Sequence, residues 1–422
     1  AMLNGTTGMG KTVAMSDMIA EARAKGQRCV VFDLTGAFIE HFYQADQDII
    51  LNPLDARCPQ WSLFDECRTE GEFWAAAEAL VPHDGGGEAQ FWVIAARALF
   101  VEFCLKLLAE GRGTNAALAR ELMTADLSRV HAMMRGTIAD PLTAPEAARM
   151  AESIRAVFNV NAKALKLLPT SGRGFSIRDW VEKGAEGSWL FITVKADQLP
   201  SLRPLITVWL DIAISAIMSL APDRDRRLYC VIDELPTLQK LPSLSDFLAR
   251  ARKYGGCGIL GFQSYPQLEA TYGIQDAAAI TGYCSTWVAL RANDTATARH
   301  VSENLGQVEQ VEANEGMSYG VNDMRDGVNL SRMQVTRPLV MPTEVTNLPN
   351  LVGFLRFGRN LPVVRFDSRF NDVPSLGPAF IERTTPPDQI DKAKTLVRIA
   401  HAEARVREAI EREAAQAPTP AP

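Results

Sequence analysis

The sequence predicts an α/β protein, a parallel sheet with helices on its faces, interrupted by an all-helical insertion. Three observations predict it. A phosphate-binding loop opens the chain at Gly5-Thr6-Thr7-Gly8-Met9-Gly10-Lys11-Thr12. Short apolar runs that end in polar or acidic residues recur at 28–33, 228–234 and 258–264, as buried parallel strands do. Between about 58 and 170 such runs vanish and helical periodicity takes over.

The loop fits G-x-x-x-x-G-K-[ST]. Its glycines let the backbone curl, so that successive N–H groups point inward at phosphate oxygens. Lys11 has the length to reach β- and γ-phosphates, and Thr12 offers a hydroxyl to Mg²⁺. Val13, Met15, Met18 and Ile19 then fall at helical spacing, which turns the positive end of a helix toward the anion. A loop of this kind follows a buried strand, yet only Ala1-Met2-Leu3-Asn4 precede it. The expectation is therefore a chain cut short at its N-terminus, with its best-read loop weakly supported.

Taken in order, Gly26 caps the first helix and 28–33 reads as a strand. Asp33 ends that strand and has two readings, a residue near a nucleotide or a cap for the next helix. Residues 48–51 form another short strand before Asn52-Pro53. Residues 91–108 read as a helix through Phe91, Ile94, Ala95, Ala98, Phe103 and Leu107. Further helices are expected over 115–123, 127–134 and 144–168, with a flexible break at 82–87. Strand character returns at 188–194, followed by a long helix over 202–220. Its apolar run from Pro204 carries Asp211 and is short for a membrane span, so it reads as a buried helix. After the strand at 228–234 comes a helix through Leu244, Phe247, Leu248 and Ala251, capped at Gly255-Gly256. Strands follow at 258–264 and 285–290. Residues 312–332 are polar and glycine-rich, a loop or hairpin tip. Residues 351–357 and 362–366 form a late hairpin around Gly358-Arg359-Asn360. Residues 390–414 make a charged helix, and a Pro/Ala tail from Gln416 is expected to be disordered.

The 422 residues, 47% hydrophobic and 22% charged, fit a globular protein of two or three domains. A net charge of −6 argues against a uniformly basic nucleic-acid coat and leaves room for a local basic groove. Seven scattered cysteines without a C-x-x-C pair, and five histidines without ligand spacing, argue against zinc and against a disulfide framework. That cysteine usage suits a reducing cytoplasm, and no signal peptide is expected.

The apolar strand ending in Asp233-Glu234 supplies what a P-loop enzyme needs opposite its phosphates. Asp233 would hold Mg²⁺, through water, and Glu234 would polarise the attacking water. Gln263 ends the next strand, either a reporter of the γ-phosphate or an ordinary polar strand end. Arg250, Arg252 and Lys253 close the helix between them. They serve either as a finger into a neighbouring subunit or as cations at a helix C-terminus.

In the order of its segments the chain resembles the TraD/TrwB family of type IV coupling proteins. These are conjugative DNA-transfer ATPases related to the FtsK/HerA motors. The matching pieces are residues 5–12, Ile50-Leu-Asn-Pro-Leu-Asp55 with Trp61-Ser62, and Phe175-Ser-Ile-Arg-Asp-Trp180. They continue with Leu202-Arg-Pro-Leu205, Ile232-Asp-Glu-Leu235, Gly261-Phe-Gln-Ser264, and Met341-Pro342 through Asn347-Leu-Pro349. The resemblance covers most of residues 1–380. It implies a RecA-like P-loop nucleotide-binding domain formed by 1–57 and 171–380, an inserted all-α domain over 58–170, and a C-terminal helix and tail over 381–422. It implies ATP and Mg²⁺, a homo-hexamer with a channel for single-stranded DNA, and relaxase, relaxosome and type IV secretion channel partners. It places Arg252 as the trans-acting arginine and Gln263 as the sensor. It also implies attachment to the cytoplasmic face of the bacterial inner membrane through a region absent from this sequence. One departure is Leu34-Thr35-Gly36-Ala37, where relatives often carry Pro-x-Gly-Asp or Lys-Gly-Glu, so Asp33 carries little weight as a site. Three functions remain open: a DNA-pumping coupling ATPase, an ATP-gated docking receptor for the relaxosome, and a related chromosome or phage DNA pump. The paired Lys11 and Asp233-Glu234 favour hydrolysis over docking alone.

Overall fold

The computed structural model describes residues 1–82, 88–318, 327–358, 361–370 and 373–384. Residues 83–87 of the expected break at 82–87, the tip of the late hairpin at 359–360, and the helix and tail from 390 lie outside the described residues.

The strands are β1 (Met2–Asn4), β2 (Arg28–Asp33), β3 (Ile49–Leu51), β4 (Gln60–Trp61), β5 (Gly174–Phe175), β6 (Trp189–Thr193) and β7 (Leu228–Ile232). After them come β8 (Gly256–Phe262), β9 (Thr286–Ala289), β10 (Gln307–Ser318), β11 (Gly327–Pro338), β12 (Val352–Phe357) and β13 (Val364–Asp367). One sheet runs in the order β13-β12-β9-β1-β8-β7-β2-β6-β3. From β9 to β3 every pair is parallel, and the late hairpin β12–β13 joins the edge antiparallel. β1 and β6 are buried throughout, and helices cover both faces, so apart from the polar residue that ends each, Asn4 and Thr193, their sequences are apolar without alternation.

The three residues of β1 correct the expectation of a poorly held loop. Met2, Leu3 and Asn4 lie in the middle of the sheet, paired with Leu260, Gly261 and Phe262 on one side and Trp287, Val288 and Ala289 on the other. The Asn4 side-chain amide donates to the Leu290 carbonyl at 3.1 Å, and Gly5 N–H donates to Phe262 at 3.3 Å. A strand flanked on both sides gains two ladders, so even a short one is anchored.

The insertion is helical as expected, with helices at Glu70–Leu80, Glu88–Ala109, Asn115–Leu118, Leu127–Met134 and Ala148–Ala162. Two details were not legible. Residues 119–124 continue as a π-helical turn, and the expected long helix over 144–168 is cut by 3₁₀ turns at Pro145–Ala147 and Lys163–Leu167. A two-residue parallel ladder, β4 against β5, closes the root of the insertion. Beside it the buried Glu66 carboxylate accepts from Trp61 Nε1 at 2.8 Å, Ser176 Oγ at 3.2 Å, and the backbone N–H groups of Ile177 at 2.5 Å and Arg178 at 3.1 Å.

Among the described residues one helix, Leu199–Ser219, is long and apolar enough to cross a membrane. It is instead buried between the sheet and the insertion, packing on helices Glu70–Leu80, Ile177–Lys183 and Leu244–Arg250, with Trp209 edge-on to Trp61 at 5.7 Å. The polar stretch near 312–332 is the far part of a hairpin, paired from Gln307↔Pro338 to Ser318↔Gly327, and 319–326 lie outside the described residues. Past β13 the chain returns along the opposite side of the molecule. Ala56 N–H donates to Ile381 at 2.8 Å and Arg383 N–H to Leu54 at 2.8 Å, so residues 381–383 pack against the first residues after β3.

Candidate nucleotide-binding site

Parallel strands carry their C-terminal ends to one sheet edge. The loop after β1, Asp33 at the end of β2, Asp233-Glu234 after β7 and Gln263 after β8 therefore meet, although 222 positions separate Lys11 from Asp233. Gly8 and Gly10 take left-handed conformations, φ 79° and 101°, which only glycine adopts at little cost. Gly10 then caps helix Lys11–Ala24.

Lys11 points across the cleft. Its Nζ lies 2.5 Å from Glu234 Oε2 and 3.8 Å from Asp233 Oδ1, with all three side chains at most 8% exposed. Burial raises the pKa of both acids, and the Lys11 ammonium pulls each back down. Glu234 Oε1 accepts the Gln263 N–H at 3.1 Å. Thr7 Oγ1 donates to Gln263 Oε1 at 3.1 Å, so Gln263 touches both the loop and the second acid. Asp233 Oδ1 is buried without a hydrogen-bond partner. A carboxylate oxygen without a hydrogen-bond donor beside a phosphate loop can accept from the water of a hydrated divalent cation, so the residues fit Mg²⁺ with a nucleotide. Gly261 is needed for close approach, since a Cβ there would stand 2.1 Å from the Asp233 carbonyl oxygen.

Asp33 takes the capping role. Its buried carboxylate accepts from the N–H groups of Thr35 (3.0 Å), Gly36 (2.8 Å), Phe38 (2.8 Å) and Ile39 (3.3 Å), at the start of helix Ala37–Phe42. Arg252 is not brought to the cleft. It is exposed on the turn Ala251–Tyr254, just before β8, whereas Gln263 follows the other end of that strand. The β8 strand alone separates them by ~20 Å. Arg252 instead shares a basic cleft of about 970 Å³ with Arg224, Arg227, Arg250 and Lys253.

The cleft over the loop measures about 450 Å³. Its walls include five residues that sequence reasoning passed over: Leu34, Thr35, Asn350, Leu351 and Phe370. Leu34 and Thr35 stand in the segment set aside as a departure. Asn350 and Leu351 directly follow the 341–349 stretch that was noticed for its pattern, and nothing local marks them as cleft residues.

The family described as "Type IV secretion-system coupling protein DNA-binding domain" matches residues 1–368. The chain belongs to the type IV secretion-system coupling proteins. It is 34% identical to the coupling protein TraD of Escherichia coli over 409 residues, 96% of this chain. The match takes in 57% of TraD, so the chain spans little more than half the length of that relative. The solved structure of the bacterial conjugative coupling protein TrwB in an unbound monoclinic form superposes with a TM-score of 0.81 at 32% identity, covering 91% of this chain and 87% of TrwB. TrwB in complex with ADP and Mg²⁺ gives a TM-score of 0.80 at 32% identity, covering 90% and 88%. The fold expectation is thus met, a RecA-like P-loop α/β fold with a sheet that is mainly parallel.

Proposed function

We propose that this chain is the motor portion of an ATP-hydrolysing coupling protein, which moves single-stranded DNA with its attached relaxase toward a type IV secretion channel during conjugation. The convergence of Lys11, Asp233 and Glu234 on the loop, with Asp233 Oδ1 lacking a hydrogen-bond partner, carries the reading. The similar TrwB structure in complex with ADP and Mg²⁺ supports ATP and Mg²⁺ as the ligands here.

Each residue then has a task. The N–H groups of Gly5, Thr6 and Met9 are held by Phe262, Arg291 and Thr6, so those of residues 7, 8 and 10–12 cradle phosphate oxygens, with Lys11 on the β- and γ-phosphates. Thr12 and Asp233 hold Mg²⁺, which when bound neutralises charge on the phosphates. Glu234 orients and polarises the attacking water, in a buried setting that raises its pKa and is opposed by the Lys11 ammonium. Gln263, tied to both Thr7 and Glu234, reports which phosphates remain. Arg252 lies on the far edge of its own sheet, so it acts on the nucleotide of a neighbouring copy in a homo-hexamer. Residues 58–170, helical apart from the two-residue strand β4 at its root, form a separate domain outside the nucleotide domain of 1–57 and 171–380. The working protein sits at the cytoplasmic face of the inner membrane with relaxosome and secretion-channel partners.

The direct test is ATP turnover with and without single-stranded DNA. Turnover should rise on adding DNA and vanish in Lys11→Ala. An assembled hexamer with no DNA response would leave only the docking-receptor function, and turnover retained in Lys11→Ala would remove the site assignment.

A further inference from the structure

Leu351 is the one non-glycine residue among those described with a left-handed backbone, φ 64°. A β-carbon in that region is crowded, so the conformation persists only where the surroundings enforce it. Here they are the phosphate loop itself. Leu351 N–H donates to the Met9 carbonyl at 3.1 Å, and the Leu351 side chain lies where a Gly10 β-carbon would stand, 2.6 Å from its Cδ2. The Leu351 carbonyl accepts the Ser368 N–H at 2.8 Å, tying the turn to the chain after β13. The preceding Asn350 Oδ1 accepts from Arg291 Nη2 at 3.1 Å. The Arg291 carbonyl in turn holds the Thr6 N–H at 3.0 Å and the Thr6 hydroxyl at 3.3 Å. The turn thus grips the loop at both ends of Thr6–Gly10.

The same turn is continuous with the base of the β10–β11 hairpin. Leu339 N–H donates to Gly306 at 2.9 Å, and Ser302 Oγ donates to the Val340 carbonyl at 2.6 Å, fixing the hairpin's exit on helix Thr295–Leu305. Helix Pro342–Thr346 packs on that helix through buried Val345, with buried Leu348 just beyond it. From Leu348 only two residues lead to Leu351.

We propose that the Asn350–Leu351 turn is a strut that couples nucleotide occupancy of the loop to the β10–β11 hairpin, with Leu351 as a positioning residue. The proposal rests on the reading of residues 5–12 as the nucleotide site. The Met9 carbonyl and Gly10 move with the loop when it closes on phosphates, and Leu351 is bound to both. A ligand that favours one loop shape therefore favours one strut position, and reciprocally whatever engages the hairpin changes nucleotide affinity.

The test is hydrogen exchange over residues 335–351 of the full chain, with ADP and Mg²⁺ present or absent, beside calorimetric ADP affinity. In the wild type, ADP with Mg²⁺ should slow exchange across this segment. Leu351→Gly tolerates the left-handed backbone and removes the side chain over Gly10, so it should fold, bind ADP about fivefold more weakly and lose the nucleotide-dependent slowing. Asn350→Ala, which leaves the backbone untouched, should move both readouts in the same direction. Variants that keep wild-type affinity and wild-type slowing overturn the strut. So do variants that lose only thermal stability while the slowing persists. A wild-type chain that binds no ADP overturns the nucleotide reading itself, and the strut with it.

Discussion

At the scale of single residues, burial decides chemistry. Asp211 is a carboxylate inside the apolar helix Leu199–Ser219, where desolvation raises its pKa to about 6, opposed by the Ser243 N–H at 2.9 Å. The folded protein then holds a proton that the unfolded chain releases near pH 4, so folding is favoured in acid and this contribution is lost as pH rises through about 6. Asp211→Asn keeps an acceptor for Ser243 and has no charge to bury. Urea unfolding should show it more stable than wild type at pH 8, by on the order of 2–3 kcal/mol at most, and nearly equal to it at pH 4. Gly261 sets the opposite constraint. Gly261→Ala would push a methyl into the Asp233 carbonyl, so the unfolding free energy should fall by roughly several kcal/mol and nucleotide affinity with it. Unchanged affinity would mean that β7 can retreat without moving Asp233.

At the scale of elements, short segments carry more than their length suggests. The β4–β5 ladder has two residue pairs, yet it sits beside Glu66, whose carboxylate satisfies four donors from both ends of the insertion. Glu66→Ala leaves those donors buried and unpaired, a loss of ~3 kcal/mol or more by denaturant unfolding. Protease cleavage should then appear first near the insertion's root. Glu66→Gln, which keeps acceptor capacity on one oxygen alone, should fall between. Element existence was legible from periodicity: β2, β6, β7, β8 and the helix Leu127–Met134 lie where apolar spacing put them. β4 and β5 were not legible, because two-residue strands have no period to read. The π-helical turn at 119–124 likewise follows from packing and has no local signature in the sequence.

At the scale of the whole molecule, the parallel sheet places the phosphate-loop cleft and the arginine-rich cleft at opposite ends of its strands. Lys11, Asp233, Glu234 and Gln263 gather where strands end, and Arg252 with its basic neighbours lies where β8 begins. If Arg252 serves a neighbouring copy, Arg252→Ala chains mixed with Glu234→Gln chains should regain part of the ATP turnover that each lacks alone. No recovery at any mixing ratio would confine Arg252 to its own helix terminus.

The sequence by itself determined the α/β class, the helical insertion, and the phosphate loop with its distant acids. These are written in local spacing: a glycine pattern, an apolar run ending in Asp-Glu, a helical stripe. Only the tertiary structure decided that Met2–Asn4 is a central strand, that Asp33 caps a helix, and that Leu351 grips the loop. A three-residue strand gains its stability from neighbours more than 250 positions away in the chain, and Leu351 meets Gly10 across a similar distance. Local propensity carries no record of such pairings, because what stabilises them is the sheet that brings them together.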